Sequence, residues 1–322
     1  MTAPYLSATS LAAMDPAGPE WREICSILDQ LPDLAGPPLE IQALPGGLTN
    51  RNYRVVSCGR RNVVVRISAE HSSLLQIDRE AEHRNAVAAS RAEVGPHVVG
   101  YLPERGVLVI EWIDGRTFSS TDLDDTANLE RVAATCRRLH AGPRFANDFD
   151  MFSVQRTYLD IVLDRGFRLP RDYVEFMPQV EQIRSALTVP HEGYVPCHND
   201  LLAANFIDDG DRIWLIDYEY SGNNDACFEL GNIWAECHLS LDALAELIAA
   251  YYGRPLRSKI ARARLLGLAG KYGWTLWGAI QNASSPLDFD FWSWAMERFE
   301  GAAAGFTADD FGRLLEDVQR DD

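Results

Sequence analysis

A chain of 322 residues with 47% hydrophobic and 24% charged residues has room for one large or two moderate cores, and this composition excludes a disordered or fibrous class. Its formal net charge of −17 repels nucleic acid and anionic membrane surfaces and concentrates cations near the protein, although solubility alone accounts for the same charge. Cys25, Cys58, Cys136, Cys197, Cys227 and Cys237 show no C-x-x-C pair and no zinc-like spacing, so they read as reduced, buried thiols. The first basic residue is Arg22 and no apolar run reaches membrane-spanning length, so a soluble, cytoplasmic protein without a signal peptide is expected.

In chain order, residues 1–17 are rich in Ala, Ser, Thr and Pro and read as a loose arm. Trp21, Ile24, Cys25 and Leu28 recur at helical spacing, which predicts a helix over 18–31 ended by Pro32 and the Gly36-Pro37-Pro38 cluster. Short strands are predicted over 41–44 and 53–57. The turn between them, Pro45-Gly46-Gly47-Leu48-Thr49-Asn50, has glycines that let backbone N–H groups approach a phosphate. Asn62 to Ile67 is a β-branched run with Arg66 embedded in it, a charge that needs a partner if buried. The following helix, over 77–93 and capped by Asp78, offers Glu80 and Glu82, and helical geometry does not decide between them.

A hairpin is predicted from 98–102 and 107–111, followed by the crossing Glu111 to Gly115 into helix-rich sequence, which places a lobe boundary near residue 112. Helices are then predicted over 123–140, 154–165 and 173–187, and past Cys237 over 241–252, 259–281, 289–303 and 309–319. His140 closes the first of these and is read as a core or capping histidine with no role in chemistry.

Two acidic motifs organise the chain: Cys197-His198-Asn199-Asp200-Leu201-Leu202-Ala203-Ala204-Asn205-Phe206 and Ile213-Trp214-Leu215-Ile216-Asp217-Tyr218-Glu219-Tyr220. Phosphoryl transfer uses one aspartate to orient and deprotonate a hydroxyl, an asparagine five positions later, and a second aspartate to hold Mg²⁺. Asp200, Asn205 and Asp217 fit those places, and a hairpin across residue 212 brings Asp217 beside Asn205. In the same template Arg66 takes the place of the strand cation that braces the α- and β-phosphates, paired with a helix glutamate, and the crossing at 111–115 takes the place where backbone groups receive an adenine.

With Asn205 and the continuation Phe228-Glu229-Leu230-Gly231-Asn232, these motifs resemble the choline/ethanolamine kinase branch of the aminoglycoside-phosphotransferase-like kinases. Gly46-Gly47-Leu48-Thr49-Asn50-Arg51-Asn52-Tyr53 is similar to the opening motif of that branch. Glu229 departs from its usual F-D-x-G-N by one methylene. The resemblance runs from about Leu44 to Phe299 and implies an α+β, bilobal protein-kinase-like fold, with a small antiparallel-sheet N-lobe carrying one helix (1–112) and a larger, mostly helical C-lobe (113–322). It implies ATP and Mg²⁺ as cofactors and a hydroxyl acceptor such as choline or a related amino alcohol. Counted back from Gly95-Pro96, the family pattern selects Glu82 as the partner of Arg66.

Trp274, Trp277, Trp292 and Trp294 are four of the chain's 8 tryptophans, gathered near the C-terminus of an acidic protein. Rings at helical spacing are usually core, but aromatic cages also hold quaternary ammonium groups, each ring contributing about 0.5–2 kcal/mol. The W-x-x-W of Trp274 and Trp277 with a following Gln, then Trp294 ahead of Arg298-Phe299, resembles the family's choline pocket. The candidate site is therefore Asp200, His198 and Asn205 for catalysis; Gly46, Gly47, Thr49, Asn50, Arg66 and Glu82 for nucleotide; Asn205, Asp217 and Glu219 for metal; and Glu219, Trp274, Trp277 and Trp294 for substrate. A sugar-hydroxyl kinase acting on aminoglycosides, which would want a carboxylate-lined pocket, and a catalytically silent nucleotide-binding module are the alternatives. Intact Asp200, Asn205 and Asp217 speak against the second.

Overall fold

The computed structural model describes residues 14–45, 47–69, 74–188 and 193–322, and the expected N-terminal arm falls almost wholly outside them. Helix α1 (Pro19–Leu28) starts on a proline, whose missing N–H has no helical partner to lose, and it buries Ile24, Ile27 and Leu28. It stops before Leu31 because the chain tightens there into i→i+3 turns, Gln30 donating to Ile27 and Leu31 to Leu28.

Strands β1 (Glu40–Leu44), β2 (Asn50–Val56) and β3 (Asn62–Ser68) are followed by α2 (Arg79–Arg91) and by β4 (Val98–Leu102) and β5 (Val107–Glu111). They form one antiparallel sheet in the order β1-β2-β3-β5-β4. β2 starts before Tyr53 because Asn50 and Asn52 already pair with Ser68 and Arg66 across the ladder. Alternation along β3 sends Val63, Val65 and Ile67 into a core shared with α1, and Arg66 to the other face, toward α2. The sheet thus carries α1 as well as the one helix expected of it. Without α1 the β-branched face would lie bare. Helix α2, capped by Asp78, packs Ala86, Ala88 and Ala89 into the larger core of the rest of the chain.

The remainder comprises β6 (Arg116–Thr117), α3 (Thr126–His140), α4 (Met151–Asp164), α5 (Met177–Ala186), β7 (Val195–Cys197), β8 (Phe206–Asp208), β9 (Ile213–Leu215), β10 (Gly222–Asn224), α6 (Ala226–Glu236), α7 (Leu241–Tyr252), α8 (Arg257–Ser284), α9 (Phe291–Phe306) and α10 (Phe311–Asp317). Caps set the helix starts: Asp125 accepts from the Ala127 amide and starts α3 three residues after Leu123, while Asp150 accepts from Phe152 and starts α4 ahead of Val154. Tyr173 to Phe176 is a 3₁₀ turn, and α5 begins where Pro178 fits a first helical turn.

Helix α6 was not anticipated. It crosses α8 at two glycines: a Cβ on Gly231 would collide with the Ala263 carbonyl, and one on Gly267 would come 2.6 Å from the Gly231 carbonyl. This close crossing sets the motif Phe228 to Asn232 under the loop that follows β7. Among the described residues, no helix is long and apolar enough to cross a membrane.

Candidate active site

The loop after β7 is held from below by α6. Glu229, fully buried, accepts the backbone N–H groups of His198 at 2.7 Å and Asn199 at 2.8 Å, and Asn232 accepts that of Leu201 at 2.7 Å. The extra methylene of Glu229 therefore still reaches the loop. Burial alone would raise the Glu229 carboxyl, but the neighbouring His140 and His198 hold it below the usual range. His140 Nε2 lies 3.6 Å from Glu229, and its Nδ1 meets the Tyr251 hydroxyl at 2.7 Å. Asn199 has φ 67°, a left-handed conformation that Asn tolerates best after Gly, and its amide is fixed by the Tyr220 carbonyl at 3.0 Å and by Asn224 at 2.9 Å.

This frame leaves Asp200 half-buried. Desolvation, then the negative charges of Glu236, Asp217 and Glu219, push its carboxyl well above the usual carboxylate range, with Arg298 opposing them. His198 is fully buried, and its Nε2 meets the Ile216 carbonyl at 2.7 Å, so it joins the loop to the second acidic motif. Burial lowers its imidazole.

β8 and β9 pair as a hairpin, and the Ile216 amide donates to the Asn205 carbonyl at 3.1 Å, which brings Asp217 beside Asn205 as the spacing predicts. The Asn205 side-chain nitrogen donates to the Asp200 carbonyl at 2.8 Å, leaving its oxygen as the remaining acceptor. Asp217 has φ 74°, a strained backbone of the kind found where a side chain must be aimed at a site.

Arg66 is buried and paired, as a charge in a valine-rich strand must be. It lies 3.0 Å from Glu82 and 2.7 Å from Asp217, and it also contacts Glu219. Burial works against its charge, but these three carboxylates more than offset that and raise its pKa. Glu80 is exposed, so Glu82 is the partner. Arg79, which no sequence motif points to, adds a second guanidinium 2.7 Å from Glu82 and 3.3 Å from Glu219.

Glu219 also ties the glycine turn to the acidic motif: the Thr49 hydroxyl donates to it at 2.9 Å, and the Asn50 amide reaches the same carboxylate. Burial is outweighed by Arg66, Arg79 and these donors, and the Glu219 carboxyl lies below its usual range. Gly47 has no room for a Cβ, which would strike the Asn50 carbonyl; Gly46 lies outside the described residues.

The tryptophans are largely buried, Trp274 at 4% exposure and Trp277 at 6%, yet they are joined to the same motif. Trp277 donates its indole N–H to the Tyr220 hydroxyl at 2.8 Å, and the Trp274 ring stands edge-on to Tyr220 at 4.8 Å. Trp294 lies 4.9 Å from Trp277, but its face already carries the Arg298 guanidinium at 3.3 Å. Arg298 is in turn paired with Glu236, whose side chain is 4% exposed and whose Oε1 has no partner. The sequence motifs do not point to Tyr220 or Glu236 as substrate contacts. Glu236 falls seven residues after Glu229, on the same face of α6, a spacing that would have flagged it had the helix been recognised.

The profile of the family described as choline/ethanolamine kinase matches residues 41–246. Protein LicA of Haemophilus influenzae is 28% identical over 272 residues, covering 80% of this chain and 77% of its own. A solved choline/ethanolamine kinase family protein from Mesorhizobium loti superposes with a TM-score of 0.81 at 31% identity, covering 92% of this chain and 98% of that one. A GDP complex of an aminoglycoside 2'-phosphotransferase-IIIa shares the fold alone, with a TM-score of 0.64 at 16% identity over 91% of this chain and 99% of the other. The family profile spans the glycine turn, Arg66, Glu82 and both acidic motifs that the structure joins through hydrogen bonds and ion pairs, and the chain belongs to the choline/ethanolamine kinase family.

Proposed function

We propose that this kinase transfers the γ-phosphoryl group of ATP to the hydroxyl of choline, with ethanolamine the nearest competing acceptor. The observation that carries the choice is the hydrogen bond from Trp277 to Tyr220, which joins a wall of aromatic rings to the segment bearing Asp217 and Glu219. A trimethylammonium group cannot donate hydrogen bonds and is held by ring faces and by diffuse negative charge. Tyr220, Trp274 and Trp277 supply the rings, Trp294 backs them with one face engaged by Arg298, and buried Glu236 supplies charge.

In this reading Asp200 is the general base. As the acceptor oxygen attacks the γ-phosphorus, its proton passes to Asp200 while the bond to the β-phosphate oxygen breaks and ADP leaves. The lobe boundary is near residue 112, and adenine sits against the backbone of residues 111–115. The glycine turn, with Gly46, Gly47, Thr49 and Asn50, covers the phosphates, and Arg66 braces them with Glu82 behind it. His198 acts as a positioning residue through the Ile216 carbonyl.

The residues present fit a hard divalent cation: Glu82, Asp217 and Glu219 surround two guanidiniums and leave one negative charge in excess, and the donors at Asn205, Asp217 and Glu219 are all oxygens. Bound there, Mg²⁺ supplies charge neutralisation of the triphosphate.

ADP release measured with choline, ethanolamine, other amino alcohols and kanamycin tests the assignment. Choline should give the highest kcat/KM. Kanamycin above choline, or ADP release indifferent to any acceptor, would overturn it.

A further inference from the structure

Three buried side chains from three elements meet behind the loop that follows β7: His140 at the end of α3, Cys197 at the end of β7 and Glu229 on α6. A donor atom of each lies within 4.8 Å of the other two. His140 Nε2 stands 3.6 Å from the Glu229 carboxylate, too far for an N–H···O hydrogen bond, and 3.7 Å from the Cys197 Sγ. A ring nitrogen on a side chain only 3% exposed is thus aimed at the gap between a thiol and a carboxylate. These are the spacings of ligands around one ion. With Zn–N and Zn–O bonds of about 2.0–2.2 Å and Zn–S of about 2.3 Å, neighbouring donors of a tetrahedral zinc stand roughly 3.3–3.7 Å apart. The remaining contacts of the three side chains hold the donors in place. His140 Nδ1 meets the Tyr251 hydroxyl at 2.7 Å, and giving its proton to that oxygen leaves the Nε2 lone pair facing the gap, as the outer hydrogen bond does in metal-bound imidazoles. The Glu229 carboxylate is fixed by the amides of His198 and Asn199, and each of its oxygens keeps a further lone pair.

We propose that His140, Cys197 and Glu229 form a structural site for a borderline-soft divalent ion, zinc by its mixed nitrogen, sulfur and oxygen donors. It shares no residue with the all-oxygen donors offered to Mg²⁺. Cys197 gives up its thiol proton on binding, and its thiolate and the Glu229 carboxylate match the two charges of the ion, so the core is not left with a bare charge. Cys136, fully buried one turn before His140 on the same face of α3, is the candidate for the fourth ligand. The ion clips α3, β7 and α6 together at the residue before His198. Because its ligands are closed to solvent, it is taken up as the chain folds.

Metal analysis of the full, untagged chain tests this. Produced in minimal medium with Zn²⁺ and dialysed against EDTA without denaturant, the wild type should keep one zinc ion per chain and release it on denaturation. Produced with Co²⁺ in place of Zn²⁺, it should show the intense visible bands of tetrahedral cobalt and a near-ultraviolet thiolate-to-cobalt band. Cys197→Ala should lose most of the ion and weaken the thiolate band. Tyr251→Phe removes only the partner of Nδ1 and should weaken retention of Co²⁺ against a chelator about 10- to 100-fold. A thermal melt of each variant accompanies the metal analysis. A folded wild type free of zinc after production in its presence overturns the site whatever the variants do, and is the result expected if a proton on His140 fills the gap and pairs with Glu229 instead. One ion per chain in folded Cys197→Ala overturns it as well, because the ion then lies elsewhere.

Discussion

Asp200 sits where a carboxylate is hard to ionise, between desolvation and the charges of Glu236, Asp217 and Glu219. If Asp200 is the base, as proposed, it must be deprotonated to act, so activity is lost as pH falls through its raised pKa, and the acid limb of the profile should lie above the ordinary carboxylate range. Removing one negative neighbour lowers that pKa. Glu236→Gln should therefore move the acid limb of kcat/KM to lower pH, and it should raise the KM for choline, while Asp200→Asn should lower turnover at least ~10²-fold with nucleotide affinity nearly intact. A pH–rate profile of Glu236→Gln that superimposes on the wild type would remove Glu236 from the site. The rings are tested separately. Trp277→Phe removes the indole donor to Tyr220 and part of the π surface, and it should weaken choline more than ethanolamine, because a primary ammonium can still donate to carboxylates. Equal losses for the two acceptors, measured by titration, would make Trp277 a core residue.

At the scale of elements, the loop after β7 is only as ordered as α6 beneath it. Glu229→Asp shortens the side chain that holds two loop amides and should lower kcat more than it changes KM, since in the proposed mechanism the loop presents Asp200 to the reacting hydroxyl. Gly231→Ala forces α6 and α8 apart and should destabilise the fold by about 1–3 kcal/mol, read as a lower denaturation midpoint. A midpoint unchanged from wild type would mean that the crossing has slack. These two elements also mark where the sequence stopped being legible. Strands β1 to β5 could be read because β-branched runs and glycine turns bound them, and α2 because Asp78 caps it. α6 could not be read as a helix, because it is buried nearly all round and so has no polar face to give it a period. Asp200, Asn205, Asp217 and Arg66 could be picked out as candidates because the motifs they belong to are local in sequence. Arg79, Tyr220 and Glu236 acquire their meaning from partners on other elements, and that information exists only after folding.

At the scale of the molecule, two hydrophobic cores carry the sheet and the helices, and the chain as a whole bears a formal charge of −17. The acceptor proposed here is a cation and the nucleotide an anion, so the same field attracts one substrate and repels the other. Salt shortens the reach of that field from about 30 Å at 0.01 M to about 10 Å at 0.1 M and about 3 Å at 1 M, while buried contacts such as those of Glu236 are screened far less. Raising ionic strength should therefore increase the KM for choline and decrease the KM for ATP, with kcat nearly constant because the bound complex is shielded from solvent ions. The neutral isostere 3,3-dimethylbutan-1-ol, which keeps the shape of choline and its hydroxyl, separates field from contact: its KM should not rise with salt. If choline and the isostere respond alike, the acidic surface serves solubility alone, and recognition of the ammonium belongs entirely to the rings and the buried carboxylate at the end of α6.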